Sequence, residues 1–339
     1  MRGGRAAGAL LACLLLTTGA ACAAEPSPLP DAEPRAAAFV HDIPGTHPRI
    51  PYLEAFARDI GAASEGALEV RINPQGGVLA GRASLDAVRS GAAHIAAVNM
   101  AHLEALEPRA GFMNLPFGLD DTTMADARNR ADVTGILATA LRPHGVELLG
   151  IMRGADQLFA FPRDDVQVLE DLAGRRIRVA GGGIYEQVLR ELGAEPVAIP
   201  IPQIRDAMSR GEVDGVFTSP GGWTSEVRGD APHAVQVPGL MLITYGVVAD
   251  AAWLASLTTA ERDAVAAAGR AVTAGWAAMQ RDDEVVIAAA TADGSTYRVL
   301  PEAETARWAD AVADVRAGFL AGQPALAEQL RRDGLVGVR

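Results

Sequence analysis

Apolar and polar positions along this chain follow two periods, one of two residues and one of about 3.6 residues. The segment Leu68-Glu69-Val70-Arg71-Ile72 alternates like a half-buried strand. From Pro51 to Ala63, apolar side chains instead recur on one face of a helix. The predicted strands cover residues 39–41, 68–72, 94–98, 176–180, 194–199, 213–218 and 296–300. The predicted helices cover residues 51–63, 84–90, 185–192, 203–209, 259–293 and 302–320. Short strands that alternate with helices predict an α/β fold.

A segment near residue 86 is echoed 120 residues later. The first copy is Asp86-Ala87-x-x-x-Gly91-x-x-His94, and it continues to Asn99. The second copy is Asp206-Ala207-x-x-x-Gly211-x-x-Asp214, and it continues to Ser219. In both copies a short helix closes on glycine, whose missing Cβ suits a helix C terminus. Chance similarity between two helix–turn–strand units is the alternative. A true repeat predicts two similar lobes whose strand ends face one cleft, because ligands of open α/β sheets bind beyond the carboxyl ends of strands.

The longest predicted helix runs from about Thr259 to Asp293. Thr258-x-x-Glu261 forms a capping box ahead of it, and Asp293-Gly294 is a stop signal. A helix of this length would be about 50 Å long, which is enough to cross more than one domain. A kink or break near Gly275 is the competing interpretation.

The first residues have the pattern of a secretory signal peptide. Arg2 and Arg5 precede an apolar run, and small residues continue to Ala24. We predict a signal peptide over residues 1–24 and a flexible, proline-rich lead-in over residues 25–35. The predicted destination is the periplasm.

Both cysteines, Cys13 and Cys22, lie inside this signal. The mature chain is therefore predicted to have no disulfide and no thiolate nucleophile. The alternative is lipidation at Cys22, because Gly19-Ala20-Ala21-Cys22 loosely resembles a lipoprotein cleavage site.

Composition excludes several classes of function. Acidic residues outnumber basic ones 42 to 30, and the net charge of −12 argues against a nucleic-acid partner. Every basic residue is Arg, and the absence of Lys removes Walker-type phosphate loops and Schiff-base chemistry. The six His residues lack the paired helical spacing of a zinc site, and no Gly-x-Ser-x-Gly motif occurs. We therefore expect no metal, no cofactor and no catalytic residue.

Several motifs together resemble the solute-binding subunit of tripartite ATP-independent periplasmic (TRAP) transporters, the DctP type of extracellular solute-binding family 7. The resemblance runs from about residue 38 to 290 and is most specific in Asp171-Leu172-Ala173-Gly174-Arg175-Arg176-Ile177-Arg178-Val179 and in Val213-Asp214-Gly215. The other landmarks are His47-Pro48, Leu115-Pro116-Phe117, Leu192-Gly193-Ala194, Ala207-Met208 and Trp253-Leu254.

This resemblance implies a two-lobed periplasmic binding protein fold. Two α/β lobes would be joined by crossing strands and by a long helix that spans both, with a ligand cleft between them. The expected lobe I comprises residues 36–155 and 243–283, and lobe II comprises residues 156–242 and 284–339. The implied ligand is a small organic acid, and the implied partners are the small and large membrane permease subunits of a TRAP importer.

Arg178 is the main candidate for ligand binding, because the resemblance places on it the arginine that grips the carboxylate. A guanidinium offers a planar fork that pairs with a carboxylate through two parallel hydrogen bonds. A structural ion pair or a solvated strand-end arginine is the alternative. Family members often carry a second arginine about twenty residues earlier. Here that place holds Leu158, flanked by Arg153 and Arg163.

The remaining candidates lie near Arg178 or near predicted strand ends. Gly181 and Gly182 would expose backbone N–H groups at a helix N terminus, where an anion is favoured, although a flexible turn is the alternative. The other candidate ligand-binding residues are Asn99, Thr218, Ser219, His41, Tyr185 and Trp223. For His41, a surface or core position is the alternative. Family members commonly have Asn at the position of Thr218, and the departure suggests a smaller or less hydroxylated acid.

The sequence thus indicates a periplasmic solute-binding protein that captures a small carboxylate for a TRAP-type secondary importer. Two alternatives stay open. One is a periplasmic enzyme that acts on a carboxylate in the same cleft, and the other is the ligand-presenting subunit of a sensor.

Overall fold

The computed structural model describes residues 33–73, 79 and 81–335. The predicted signal peptide, Cys22 and most of the lead-in lie outside these residues. The strands are β1 Arg35–His41, β2 Leu68–Ile72, β3 Ile95–Asn99, β4 Val146–Asp156, β5 Leu158–Phe161, β6 Arg176–Val179, β7 Glu195–Ala198, β8 Gly215–Thr218, β9 His233–Gln236, β10 Leu242–Asp250 and β11 Thr296–Val299.

Helices connect and cover these strands. They are α1 Ile50–Ala63, α2 Gly81–Arg89, α3 Met100–Leu106, α4 Asp121–Ala125, α5 Ala127–Leu141, α6 Gly183–Glu191, α7 Ile204–Ser209, α8 Pro220–Gly222, α9 Ala251–Ser256, α10 Thr259–Ala274, α11 Trp276–Ala292, α12 Glu302–Ala311, α13 Ala313–Gly322 and α14 Pro324–Arg332. In the part of the chain that the structure covers, no helix is both long and apolar enough to span a membrane.

The strands form two mixed sheets, and each sheet carries one lobe. The first sheet has the order β2-β1-β3-β10-β4, and the second has the order β11-β9-β5-β8-β6-β7. We call the elements on the first sheet the first lobe and those on the second sheet the second lobe. The chain passes between them from β4 to β5, from β9 to β10 and from α11 to β11. The residue numbers at which the lobes divide stay a prediction.

The repeat in the sequence is confirmed as a structural repeat. The α2–β3 unit in the first lobe and the α7–β8 unit in the second lobe each turn at a glycine with positive φ, 75° at Gly91 and 64° at Gly211. His94 and Asp214 hold matching places. The side chain of each accepts a hydrogen bond at 2.9 Å from a backbone N–H of the preceding parallel strand. The carboxyl ends of β3 and β8 consequently play equivalent parts in the two lobes.

The sequence pattern located most of the predicted elements correctly but overestimated the length of two helices near the C terminus. Each element predicted between residues 39 and 218 is present, with ends shifted by no more than four residues. The capping box at Thr258 and Glu261 is formed. The single helix over residues 259–293 is wrong, because the chain breaks at Gly275 into α10 and α11, as the competing interpretation held. The predicted helix over residues 302–320 is likewise interrupted, at Val312.

The break at Gly275 places a large aromatic side chain in the core. Trp276 begins α11 and is 2% exposed, and its indole N–H donates to Asp121 at 2.8 Å. A buried indole N–H needs such an acceptor. Because Trp276 is anchored in the first lobe while α11 leads on to β11 of the second sheet, the break lies within the helical connection between the lobes.

Two glycines bring α10 against the crossing strand β4. A Cβ on Gly269 would overlap the carbonyl of Leu149, and one on Gly150 would overlap the carbonyl of Gly269. The clashing atoms belong to the backbone, which cannot move aside as a flexible side chain can. This contact therefore requires the missing Cβ atoms.

We predict that Gly269→Ala destabilises the fold by about 1–3 kcal/mol, since overpacking a tight contact costs roughly this amount. Urea unfolding followed by circular dichroism measures the change. Gly318→Ala is the matched control, because Gly318 also lies in a helix and its Cβ would meet nothing within 4 Å. The control is expected to be neutral or slightly stabilising. Equal stability of the Gly269 variant and wild type would contradict the packing argument.

Candidate ligand-binding site

A small cavity of about 50 Å³ lies between the two lobes. It sits where the carboxyl ends of β3, β6 and β8 converge with the residue that follows β1, which is where open α/β sheets place their ligands. Its polar lining residues are Asp42, His47, Asn99, Gln157, Arg178, Tyr185, Thr218, Ser219, Glu226 and Tyr245.

A second cavity of about 240 Å³ adjoins the first. The two share Asp42, Arg178, Ala180 and Ile201 as lining residues. The second cavity extends along the largely apolar segment that runs from Ala198 to Pro202. Asp42 and Arg178 therefore face both spaces.

Arg178 occupies the centre of the site. It lies on β6 between β7 and β8, and its side chain is almost entirely buried. Its Nε donates to the carbonyl oxygen of Ile199 at 2.8 Å, which fixes the direction of the guanidinium. Burial lowers the pKa of Arg178 to about 10, and the nearby Asp42 carboxyl opposes that shift. The guanidinium is charged at neutral pH, and no ion pair within the described residues compensates it.

Asp42, which follows β1 directly, is the acidic residue whose charge acts most strongly on Arg178. Burial raises the pKa of Asp42 to about 6, while a hydrogen bond from its own backbone N–H, the charge of Arg178 and a hydrogen bond from the backbone N–H of Gly81 act in the opposite direction. Its Oδ2 points toward the start of α2, since a Cβ on Gly81 would lie 2.7 Å from that atom. Its Oδ1 is buried and has no hydrogen-bond partner in the described part of the chain.

Two more polar atoms of the lining are buried, the hydroxyl of Tyr185 and Oε1 of Gln157. Neither makes a hydrogen bond of ordinary geometry in the described residues, and the Gln157 side chain lies close enough to the Tyr185 hydroxyl to act on its pKa. Burial also raises the pKa of Tyr185, so its hydroxyl keeps its proton. Unpaired buried polar atoms are costly, and they are normally satisfied by water or by a ligand. Their convergence on one cavity indicates a polar occupant.

The strand-end side chains have structural duties as well. The side-chain oxygen of Asn99 accepts from the N–H of Ala101 at 2.9 Å and caps α3. Ser219 does the same for α8, accepting from the N–H of Gly222 at 2.9 Å. Each residue therefore fixes the start of a helix at the rim of the cavity.

The structure does not place Gly181 and Gly182 on either cavity. Both have positive φ, 104° and 110°, and a Cβ on Gly182 would lie 2.7 Å from the Cβ of Ala101 in the first lobe. The N terminus of α6 that they expose is occupied by a carboxylate of the protein itself, because Glu104 accepts from the N–H of Ile184 at 3.1 Å. Gly182 therefore allows close approach of the lobes, whereas a Cβ on Gly181 would meet nothing within 4 Å.

His41 and Trp223 also lie away from both cavities. The ring of His41 accepts from the N–H of Ile43 at 3.2 Å and pairs with Asn73 at 3.3 Å. Trp223 is fully buried in the core of the second lobe, where its indole N–H donates to Ala231 at 2.8 Å. Each ring satisfies its polar atoms internally.

Within the described residues, no second arginine lines the smaller cavity beside Arg178. Arg153 is buried, and it pairs with both oxygens of Asp121 at 2.6 and 2.7 Å and with Asp283. Arg163 is exposed. Leu158 belongs to the core of the second lobe. Among the residues that the structure covers, Arg178 is the one arginine of the smaller cavity.

Sequence reasoning missed five polar residues that line the smaller cavity, Asp42, His47, Gln157, Glu226 and Tyr245. Asp42 could have been found, because it directly follows His41, which ends a predicted strand and was itself a candidate. Gln157 links β4 to β5 and Tyr245 lies on β10 opposite Asn99. The sequence pattern did not predict β4, β5 or β10, so nothing in it pointed to Gln157 or Tyr245 as site residues.

The lobes touch across the cleft. Besides the contacts of Glu104 and Gly182, Nε2 of His47 in the first lobe lies 3.4 Å from Oγ of Ser219 in the second. Burial and the charge of Arg49 lower the pKa of His47 to about 3, so the ring is neutral at this contact. The structure therefore corresponds to a closed cleft.

Comparison with known proteins agrees with this architecture. A galactonate-bound sugar acid binding protein from Advenella mimigardefordensis superposes with a TM-score of 0.82 at 20% identity, covering 90% of this chain and 99% of that one. A TRAP periplasmic solute-binding protein from Roseobacter denitrificans with bound β-D-glucuronate gives 0.80 at 18% identity, covering 89% and 100%. At such identities these likenesses show the fold, two α/β lobes with a cleft between them.

Sequence comparison identifies the family. A solute-binding protein from Chromohalobacter salexigens is 22% identical over 172 residues, which span about half the length of each chain, 51% in both cases. The family model described as bacterial extracellular solute-binding protein, family 7, matches residues 39–322. The chain therefore belongs to the bacterial extracellular solute-binding proteins of family 7.

Proposed function

We propose that this protein captures a small organic acid by its carboxylate and delivers it to a TRAP-type secondary importer. One observation carries the proposal. The guanidinium of Arg178 is buried between the lobes, is held at Nε by Ile199, and has no anionic partner among the described residues. A buried charge is costly unless it is paired. A ligand carboxylate supplies the missing charge through two parallel hydrogen bonds.

The comparison proteins support a carboxylate ligand. Galactonate and glucuronate, bound in the two solved structures, each carry one carboxylate group. We propose a smaller acid for this chain, because the two cavities of about 50 and 240 Å³ lie at or below the lower end of ordinary ligand sites. Thr218 also supports a smaller acid, because it lacks the carboxamide with which the Asn common at this position in the family could bind a hydroxylated ligand.

Closure of the two lobes is the proposed binding step. The ligand engages Arg178 on the second lobe and polar groups such as Asp42 on the first lobe, so the complete set of contacts exists only in the closed form. That difference in affinity shifts the population toward closure. The contact of Glu104 with the N terminus of α6 adds to the closed state, because a carboxylate is stabilised at a helix N terminus.

The proposed location is the periplasm, reached through the signal peptide of residues 1–24, with lipidation at Cys22 as the alternative. The proposed partners are the small and large membrane subunits of a TRAP importer. We propose that the acid is bound without conversion. Recovery of unchanged ligand after prolonged incubation, followed by NMR, supports this, and turnover would favour the enzyme alternative.

We predict that Arg178→Ala abolishes most of the ligand-induced thermal shift. Wild-type protein should gain about 4 kcal/mol when the acid is present at 1,000 times its dissociation constant. Loss of the buried charge-assisted pair should weaken affinity by roughly 100-fold or more. Arg178→Lys should recover only part of the affinity, since an ammonium lacks the planar fork. A thermal-shift screen of mono- and dicarboxylates, sugar acids and keto acids provides the probe, and calorimetry measures the dissociation constants.

Arg176→Ala is the matched control for this experiment. Arg176 lies on the same strand, two residues earlier, but its guanidinium pairs with Asp214 at 2.7 Å near the surface. Its loss should leave the dissociation constant within about twofold, because a surface ion pair contributes little. Normal binding by the Arg178→Ala variant would overturn the site assignment.

We further predict that Glu104→Gln weakens the affinity for the same acid by about two- to tenfold. The substitution keeps the shape of the side chain but removes the charge that faces the N terminus of α6, a term of roughly 0.3–1 kcal/mol and at most about 2. Titration calorimetry measures the affinity, and small-angle X-ray scattering measures the fraction of closed protein. Glu191→Gln, at the opposite end of α6, is the control and should bind normally. An unchanged affinity in the Glu104 variant would remove this contact from the closure step.

A further inference from the structure

We infer that the ligand carries a hydrogen-bond donor, a hydroxyl or an ammonium group, beside its carboxylate, and that Asp42 binds this donor. The inference rests on the proposed function and names the class of acid that the same site accepts. It assigns complementary tasks to the two charged residues that face both cavities. Arg178 pairs with the carboxylate, and Asp42 accepts the donor.

One carboxylate oxygen of Asp42 has a donor among the residues that the structure covers, and the other does not. Its Oδ2 is directed toward the N–H of Gly81 at the start of α2, whereas its Oδ1 is buried and lacks a hydrogen-bond partner among the described residues. A buried carboxylate oxygen without a donor costs more than a neutral acceptor would. Because Asp42 lines the ligand cavity, a donor on the ligand is the group placed to satisfy this oxygen.

Asp42 and Arg178 are close enough to influence each other but do not pair. The charge of each shifts the pKa of the other toward its ionised form. Within the described residues no hydrogen bond or ion pair joins them, and the guanidinium bonds the carbonyl of Ile199 instead. The space between the two side chains is therefore lined on one side by Arg178, which binds an anion, and on the other by Asp42, which binds a hydrogen-bond donor. An acid with a hydroxyl or ammonium group on the adjacent carbon presents both complements within one small group.

Asp42 also determines which acids the site would reject. A ligand that carried an apolar group or a second carboxylate at this position would leave Oδ1 unpaired or would face its negative charge. Sites built to bond a donor discriminate strongly against the analogue that lacks it, since their own polar group is then left without a partner. Glu226 is the other acidic residue on the smaller cavity, but its Oε1 already accepts from the hydroxyl of Ser225 at 3.4 Å. Asp42 is therefore the residue we assign.

Matched sets of acids that differ in one group test this inference. The sets are propionate, lactate and alanine; succinate, malate and aspartate; and 3-phenylpropionate, 3-phenyllactate and phenylalanine. Titration calorimetry at neutral pH should show the hydroxy or amino member of at least one set binding at least about tenfold more tightly than its unsubstituted counterpart. The comparison between hydroxy and amino members distinguishes the two donor chemistries.

Variants then locate the discrimination. Asp42→Asn should reduce the ratio between the substituted and unsubstituted acids by about fivefold, because a bond to a neutral amide oxygen is weaker than one to a carboxylate. Asp42→Leu should bring the ratio near one while the unsubstituted acid still binds through Arg178. Asp86→Asn, on the exposed face of α2, is the control and should keep the wild-type ratio. Circular dichroism and thermal melting check that each variant is folded.

The outcomes separate this inference from the proposed function. Equal binding of substituted and unsubstituted acids by wild-type protein overturns the inference and leaves carboxylate capture standing. A ratio that survives both Asp42 variants, or that is lost in Glu226→Gln instead, also overturns it. Failure of wild-type protein to bind any carboxylate, in these sets or in the wider screen, overturns both.

Discussion

A permanently charged guanidinium buried between two lobes is the constraint on which the rest of the site depends. Arg178 is held by the carbonyl of Ile199 on its own lobe, so its Nε is satisfied and its remaining donors are directed away from that bond. Desolvation of such a charge is expensive, and the pairing that offsets it must come from an anion. The protein places no carboxylate in ion-pair contact with Arg178 among its described residues. In the function proposed for this protein, closure of the lobes and capture of an acid are therefore parts of one event.

The two lobes meet this constraint with the same piece of architecture used twice. In each lobe a short helix ends at a glycine and is followed by a parallel strand. Asn99 at the end of β3 caps α3, and Ser219 directly after β8 caps α8. The carboxyl ends of parallel strands lie at one edge of a sheet, so the two copies bring their polar ends to the common cleft. The missing Cβ of Gly182 then allows the second lobe to approach Ala101 of the first lobe closely.

The connection between the lobes is anchored on one side. Asp283 of α11 is buried and pairs with Arg49, at the start of α1, at 2.6 Å, and also with Arg153 of β4. Trp276, at the start of the same helix, bonds Asp121. Breaking a buried ion pair is strongly destabilising, so this network holds the first part of α11 to the first lobe. It also explains why Arg153, which flanks the place of the family's second arginine, is not available to a ligand.

The sequence by itself determined the α/β class, the repeated helix–turn–strand units and the capping box of α10, because these depend on local periodicity and on caps. The sequence also singled out Arg178 as the candidate for ligand binding, through its resemblance to a family motif. It did not determine the crossing strands β4 and β10, which are covered on both faces and so lack the alternation that marks a half-buried strand. His41 and Trp223 were candidates from their places along the chain, yet their ring nitrogens find partners inside the protein. Gly182, a candidate next to Arg178, lies instead at the contact between the lobes. The tertiary structure brought Asp42, Gln157 and Tyr245 to the cavity of Arg178, and of these three only Asp42 had a signal in the sequence, its place directly after a predicted strand. Which buried polar atom lacks a partner is decided by packing between distant segments, and local pattern carries no information about it.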